Sequence, residues 1–170
     1  KANIDIYARM AYIDTMTGLG NRTAFLEENK SNAIFPGMIS YIMMDANNLK
    51  TINDTLGHNK GDELIITIAK CMRKAVGHNG QCYRIGGDEF VIILKNKTAA
   101  ETEEIINKVR CEIEFADKQS DITISVAIGY VWTDTEQKNL EDLMQHADDE
   151  MYQDKKKTKE NKSKENTHSI

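Results

Sequence analysis

The sequence predicts an α+β fold of ferredoxin-like type: a central, mostly antiparallel sheet flanked by helices, with the helices mainly on one face. Three observations predict it. Residues Met38–Met44 form an unbroken apolar run of strand length, as a buried strand would. Two β-type segments, Gln81–Ile85 and Glu89–Leu94, flank a glycine-rich turn, as in a hairpin. Between these, runs of helical period alternate with the β segments in the order α-β-α-α-β-β-α-β-α.

Each element has its own justification. Ile4, Tyr7, Ala8 and Ala11 fall at helical spacing and read as the end of a longer helix. Asp14 to Arg22 is polar and punctuated by glycine, a structured loop, and Asn21 caps a short helix to about Asn29. Pro36-Gly37 breaks the chain before the buried strand, which stops abruptly at Asp45. A short helix is expected over Ala46–Asp54, and Gly57 and Gly61 bracket a turn. Asp62 then opens a longer helix with Leu64, Ile65, Ile68, Ala69, Met72 and Val76 on one face. After the hairpin, Thr98 caps a helix to about Phe115. Ile122, Ile124, Val126 and Ile128 alternate through a β segment over Ile122–Trp132. Leu140–Lys155 is the last helix, and the lysine-rich segment beyond reads as a frayed tail.

Composition narrows the function. At 170 residues and 40% hydrophobic, the chain suits one globular domain with a full core. No apolar stretch is long enough to span a membrane, and the first residues show no signal-peptide pattern. Cys71, Cys82 and Cys111 lack metal-ligand spacing, and an odd count argues against a disulfide framework, so a cytoplasmic setting is expected. The net charge is −5; six Lys and two Glu give residues 155–170 a charge of +4, leaving −9 for residues 1–154. So acidic a body makes a poor nucleic-acid platform but accepts a nucleotide whose phosphates a divalent cation neutralises.

The chemistry concentrates at two places. Asp45 ends the first strand, and Asp88 and Glu89 sit at the hairpin tip beside Gly86 and Gly87. Neighbouring strands would let these carboxylates converge into a hard-oxygen site of the kind Mg²⁺ takes. Taken singly, Asp45 reads equally well as a helix N-cap and the hairpin tip as a plain turn. His58, His78 and His146 have no nucleophile or ligand partner at a useful spacing and read as surface or structural residues.

Five segments together resemble one family. They are Asp14-Thr15-Met16-Thr17-Gly18-Leu19-Gly20-Asn21-Arg22, Met44-Asp45-Ala46-Asn47-Asn48-Leu49-Lys50-Thr51-Ile52-Asn53-Asp54, Gly57-His58-Asn59-Lys60-Gly61-Asp62, Tyr83-Arg84-Ile85-Gly86-Gly87-Asp88-Glu89-Phe90 and Ala147-Asp148-Asp149-Glu150-Met151-Tyr152. Their order and spacing resemble the GGDEF-domain diguanylate cyclases over nearly the whole chain. The resemblance implies a sheet of nucleotide-cyclase type and the condensation of two GTP to cyclic di-GMP with release of two pyrophosphates. It implies Mg²⁺, with Mn²⁺ as the alternative, held by Asp45, the Ala46 carbonyl, Asp88 and Glu89. Asp88 and Glu89 would be the catalytic carboxylates; which of them accepts the 3′-hydroxyl proton stays open.

For the substrate, the resemblance implies that Asn53 and Asp62 bind guanine. A carboxylate accepts from guanine N1–H and its amino group together, whereas adenine presents an acceptor at N1. Lys50 and Lys155 match lysines near the triphosphate, and Leu49 stands where phenylalanine is usual, touching phosphate through its backbone. Gly86 and Gly87 leave room for the nucleotide. Lys159 replaces a common arginine, keeping the charge but losing the bidentate fork. Asn47 replaces a common second aspartate and is given no metal role. The Arg-x-x-Asp product-inhibition motif is missing, its place taken by Gly77-His78-Asn79-Gly80.

The implied organisation is an upstream linker helix over residues 1–12, the GGDEF domain over 13–156, and a disordered polar tail over 157–170. The implied partners are GTP, a second copy of the chain in the active homodimer, and an upstream sensory domain, with no nucleic acid and no direct membrane contact. The expected setting is cytoplasmic, or the cytoplasmic part of a membrane-anchored receptor. The alternative is a catalytically weak domain that binds GTP as a regulatory module.

Overall fold

In the computed structural model, residues 11–135 and 139–167 are described, with side chains to Thr158. The expected helix at Ile4, Tyr7 and Ala8 lies outside them. The elements are α1 (Arg22–Asn32), β1 (Ile39–Ala46), α2 (Leu49–Leu56), α3 (His58–Val76), β2 (Gly80–Arg84), β3 (Glu89–Lys95), α4 (Ala99–Gln119), β4 (Val126–Thr133) and α5 (Leu140–Thr167). Their order is the expected one. The strands form one antiparallel sheet in the order β2-β3-β1-β4.

β1 is buried along its whole length because it is central and covered on both faces. Ile42, Met44, Phe90, Ile92 and Leu94 face α3 and α4, meeting Leu64, Ile68, Met72, Ile105 and Val109. Tyr41, Met43, Val91 and Ile93 face the other way, toward Phe25 of α1 and Ala147 and Met151 of α5. Helices therefore divide between the two faces rather than mainly covering one, as the sequence suggested. α5 lies close on β4: a Cβ added at Gly129 would stand 2.8 Å from the Glu150 carbonyl carbon. That glycine is required by backbone approach, not by its own conformation.

Local signals explain the helix starts. Asn21 Oδ1 accepts from Ala24 N–H at 3.0 Å, and Thr98 forms a full capping box with Glu101. Several boundaries differ from expectation. α2 begins at Leu49 because Ala46 still belongs to β1 and Asn48 takes a left-handed turn (φ 64°), which asparagine tolerates. α3 begins at His58, so Gly61 lies inside the helix rather than in a turn. β4 begins at Val126: Ile122 N–H and Ile124 N–H donate to Ser120 Oγ and Asp117 Oδ1, not to a neighbouring strand. α5 continues to Thr167, where a frayed tail was expected; residues 140–167 contain no Gly or Pro and are rich in Lys and Glu, which sustain a helix.

Candidate active site at the β1 and β3 ends

The β1–β3 register sets Asp45 directly opposite Glu89. Ala46 N–H donates to the Asp88 carbonyl at 2.8 Å, tying the hairpin tip to the end of β1. Asp45 is buried, and Lys155 of α5 donates to its Oδ1 at 2.6 Å across 110 residues of sequence. Burial raises the Asp45 pKa, the Lys155 ammonium opposes the rise, and the nearby carboxylates of Asp88 and Asp148 add to it. Glu89 is raised too, by desolvation first and then by Asp88, Asp45 and Asp148. It lies against Gly86, where a Cβ would stand 3.2 Å from the Glu89 carboxyl carbon. The structure thus brings Asp45, Ala46, Asp88, Glu89, Gly86 and Lys155 together.

A second group forms at the α2–α3 corner. Asn53 is half-buried and lies against Gly61: a Cβ there would stand 2.8 Å from Asn53 Cγ, closer to its Oδ1, and 3.1 Å from Leu49 Cδ1. With Asn53 in this position, α3 approaches it through a residue that has no side chain. Asp62 follows, exposed, as the fifth residue of α3. It sits beyond the first turn, so favouring the helix dipole is a weak account of it. Lys50 is exposed on α2 and Leu49 is its half-buried first residue. Gly87 is exposed, its carbonyl accepting from Arg84. Lys159 lies in α5, but its side chain is outside the described ones.

Sequence reasoning missed three contributors. Arg84 donates to the Gly87 carbonyl at 2.8 Å and to Asp14 Oδ1 at 3.3 Å, bracing the hairpin against the loop before α1. Burial opposes ionisation of Asp14, but hydrogen bonds from Thr17 and the Arg84 guanidinium hold its pKa below the usual value. Both residues sit in the matched segments, yet nothing in one sequence pairs them. Asn47 is buried; its backbone N–H donates to the Ser125 carbonyl at 2.9 Å and its amide to Ser125 Oγ at 3.2 Å, anchoring the turn after β1. Asp148 acts on both Asp45 and Glu89 from α5.

Among the described residues no helix is long and apolar enough to cross a membrane. Residues 11–161 match the family model described as diguanylate cyclase, GGDEF domain. The chain is 34% identical over 168 residues to the signaling protein YkoW of Bacillus subtilis, covering 94% of this chain and 21% of YkoW. It is 33% identical over 154 residues to the diguanylate cyclase DgcN of Escherichia coli, covering 86% of this chain and 38% of DgcN. It therefore spans well under half the length of these relatives. The coiled coil and GGDEF domain of DgcB from Caulobacter crescentus, solved in complex with c-di-GMP, superposes with a TM-score of 0.80 at 23% identity, over 91% of this chain and 86% of that one, and shares the fold. With nearly its whole length matched in sequence and in fold, the chain belongs to the GGDEF diguanylate cyclase family.

Proposed function

We propose that this chain condenses two GTP molecules into cyclic di-GMP with release of two pyrophosphates, acting as a homodimer of half-sites. The observation that carries the reading is the register of β1 on β3, which sets Asp45 against Glu89 at the tip bearing Asp88, with Lys155 closing the site from α5. The donors fit a divalent cation: Asp45, Asp88 and Glu89 are hard oxygen ligands, burial and then the neighbouring carboxylates raise the pKa values of Asp45 and Glu89, and one cation, Lys155, already sits on Asp45. Among the described residues no group of three or more His, Cys, Asp or Glu is arranged to hold a metal ion. Mg²⁺ is usually bound through one or two carboxylates and substrate phosphates, and Mn²⁺ is the alternative. Asp45, the Ala46 carbonyl, Asp88 and Glu89 would hold it. When bound, the ion polarises the α-phosphate and offsets charge in the in-line displacement.

The remaining steps belong to the chain. Asp62 accepts from guanine N1–H and the amino group, with Asn53 beside it. Lys50, the Leu49 backbone and Lys155 hold the triphosphate, with Lys159 following one helical turn on. Gly86 and Gly87 let the nucleotide reach the tip. Asp88 or Glu89 takes the 3′-hydroxyl proton as that oxygen attacks. One site holds one GTP, so two chains must face each other across a two-fold axis, and proximity makes both attacks effectively unimolecular. An upstream sensory domain, joined through the segment before residue 13, would control that meeting in a cytoplasmic setting. Incubating the chain with GTP and Mg²⁺ and identifying products by mass spectrometry tests the reading. Cyclic di-GMP from the native chain and none from Asp88→Ala is expected; GTP bound but never converted would replace the enzyme with a GTP-binding regulatory module.

A further inference from the structure

Lys155 does more in this structure than wait for a phosphate. Its ammonium sits on Asp45 Oδ1 at 2.6 Å, with the Asp45 side chain 12% and the Lys155 side chain 32% exposed. The contact is held from outside the site. The preceding residue, Asp154, accepts the backbone N–H of Ile128 in β4 at 2.9 Å and lies 3.4 Å from Arg110 Nη2 of α4. The close approach of α5 at Gly129 fixes the same stretch of helix one turn earlier. The stretch of α5 that carries Lys155 is therefore fixed beside Asp45 by contacts outside the site.

We propose that Lys155 is a built-in competitor for the cation: it neutralises Asp45 when no nucleotide is bound and suppresses binding of a divalent metal alone. A metal carried by a nucleoside triphosphate exchanges with it, the divalent ion taking Asp45 while the phosphates take the ammonium. The exchange keeps both charges partnered, which neither metal alone nor nucleotide alone achieves. The site then loads metal and nucleotide together. This rests on the reading that Asp45 is a metal ligand.

The test uses Mn²⁺ as the probe, counting free ion by electron paramagnetic resonance, on the native chain, Lys155→Met and Asp45→Asn. Methionine keeps the length, the apolar stem and the helix preference of lysine; Lys155→Gln serves if that variant does not fold. Without nucleotide, native protein should bind Mn²⁺ weakly and Lys155→Met about tenfold more tightly or better, since a cation in direct contact with a carboxylate shifts its affinity for another cation by at least that much. Mn²⁺ alone should also raise the melting temperature of Lys155→Met more than that of the native chain. Equal Mn²⁺ affinity in the two, with binding in the presence of a non-hydrolysable GTP analogue still lost in Asp45→Asn, would overturn the competitor role and leave the metal site standing. Mn²⁺ binding that survives Asp45→Asn, with or without the analogue, would overturn both.

Discussion

Replacing Gly61 by alanine separates stability from recognition at the α2–α3 corner. The new Cβ would lie 2.8 Å from Asn53 Cγ, with Leu49 Cδ1 at 3.1 Å. Carbon atoms rest about 3.5–4.0 Å apart, and Asn53 Oδ1 lies closer still to the new Cβ than Cγ does, so the Asn53 amide must swing away by well over ~1 Å. It is half-buried and can do so by rotating toward solvent. Alanine also improves the interior of α3 by about 1 kcal/mol over glycine, which offsets the strain of moving Asn53. The melting temperature should therefore shift by no more than about 3 °C either way. Binding has no such compensation. A guanine edge left without its amide partner costs about 1–3 kcal/mol, so affinity for a non-hydrolysable GTP analogue should fall roughly fivefold to 150-fold. Calorimetric titration reads that loss, and preference over the ATP analogue should narrow with it. Unchanged GTP affinity in a folded Gly61→Ala protein would refute the reasoning, showing that Asn53 takes no part in recognition.

Other perturbations bear on the rest of the site. Asp88→Ala should abolish turnover yet melt like the native chain, because Ala46 bonds the Asp88 backbone carbonyl, which the substitution keeps; near-native rates would refute its role. Asp14→Asn removes a carboxylate whose pKa is lowered in the fold, so it should cost about 1–3 kcal/mol at neutral pH. That gap should close as pH falls through the folded pKa of Asp14, where the native carboxylate is protonated too, read by urea denaturation across acid pH. Glu89 has the opposite sign. Its pKa is raised, so the charged form burdens the fold above the carboxylate range; Glu89→Gln should denature at higher urea than native at neutral pH, with the difference vanishing in acid. Specific activity should rise with protein concentration if two half-sites must meet; a rate independent of dilution, with monomer throughout by light scattering, would refute the paired mechanism.

Much of the fold was legible because burial and period agree in β1, β3 and the apolar face of α3. The failures have physical causes. Ile122 and Ile124 alternate as a strand would and are buried like one, but their backbones bond to Ser120 and Asp117 side chains, so alternation reported burial and not pairing. Gly61 looked like a turn because glycine in a helix is costly, and only the packing of Asn53 explains it. At the site, Asp45, Asp88 and Glu89 could be placed from the strand ends alone. Lys155 over Asp45 and Arg84 between Asp14 and Gly87 depend on contacts 110 and 70 residues apart, which no local pattern encodes.

The acidic residues of α5 also close a border. β4 is an outer strand, and its outward amides at Ile128 and Tyr130 are taken by Asp154 and Glu150 at 2.9 and 3.2 Å. On the opposite margin, Gly20 brackets Tyr83 of β2, donating to the Cys82 carbonyl and accepting from Arg84 N–H. Both margins of the sheet are thus sealed by the chain's own groups at these positions. Extending one sheet into another, or templating a stray strand, is hindered at these positions. Any pairing of two copies would then run through loops and helices, leaving the sheet itself undisturbed.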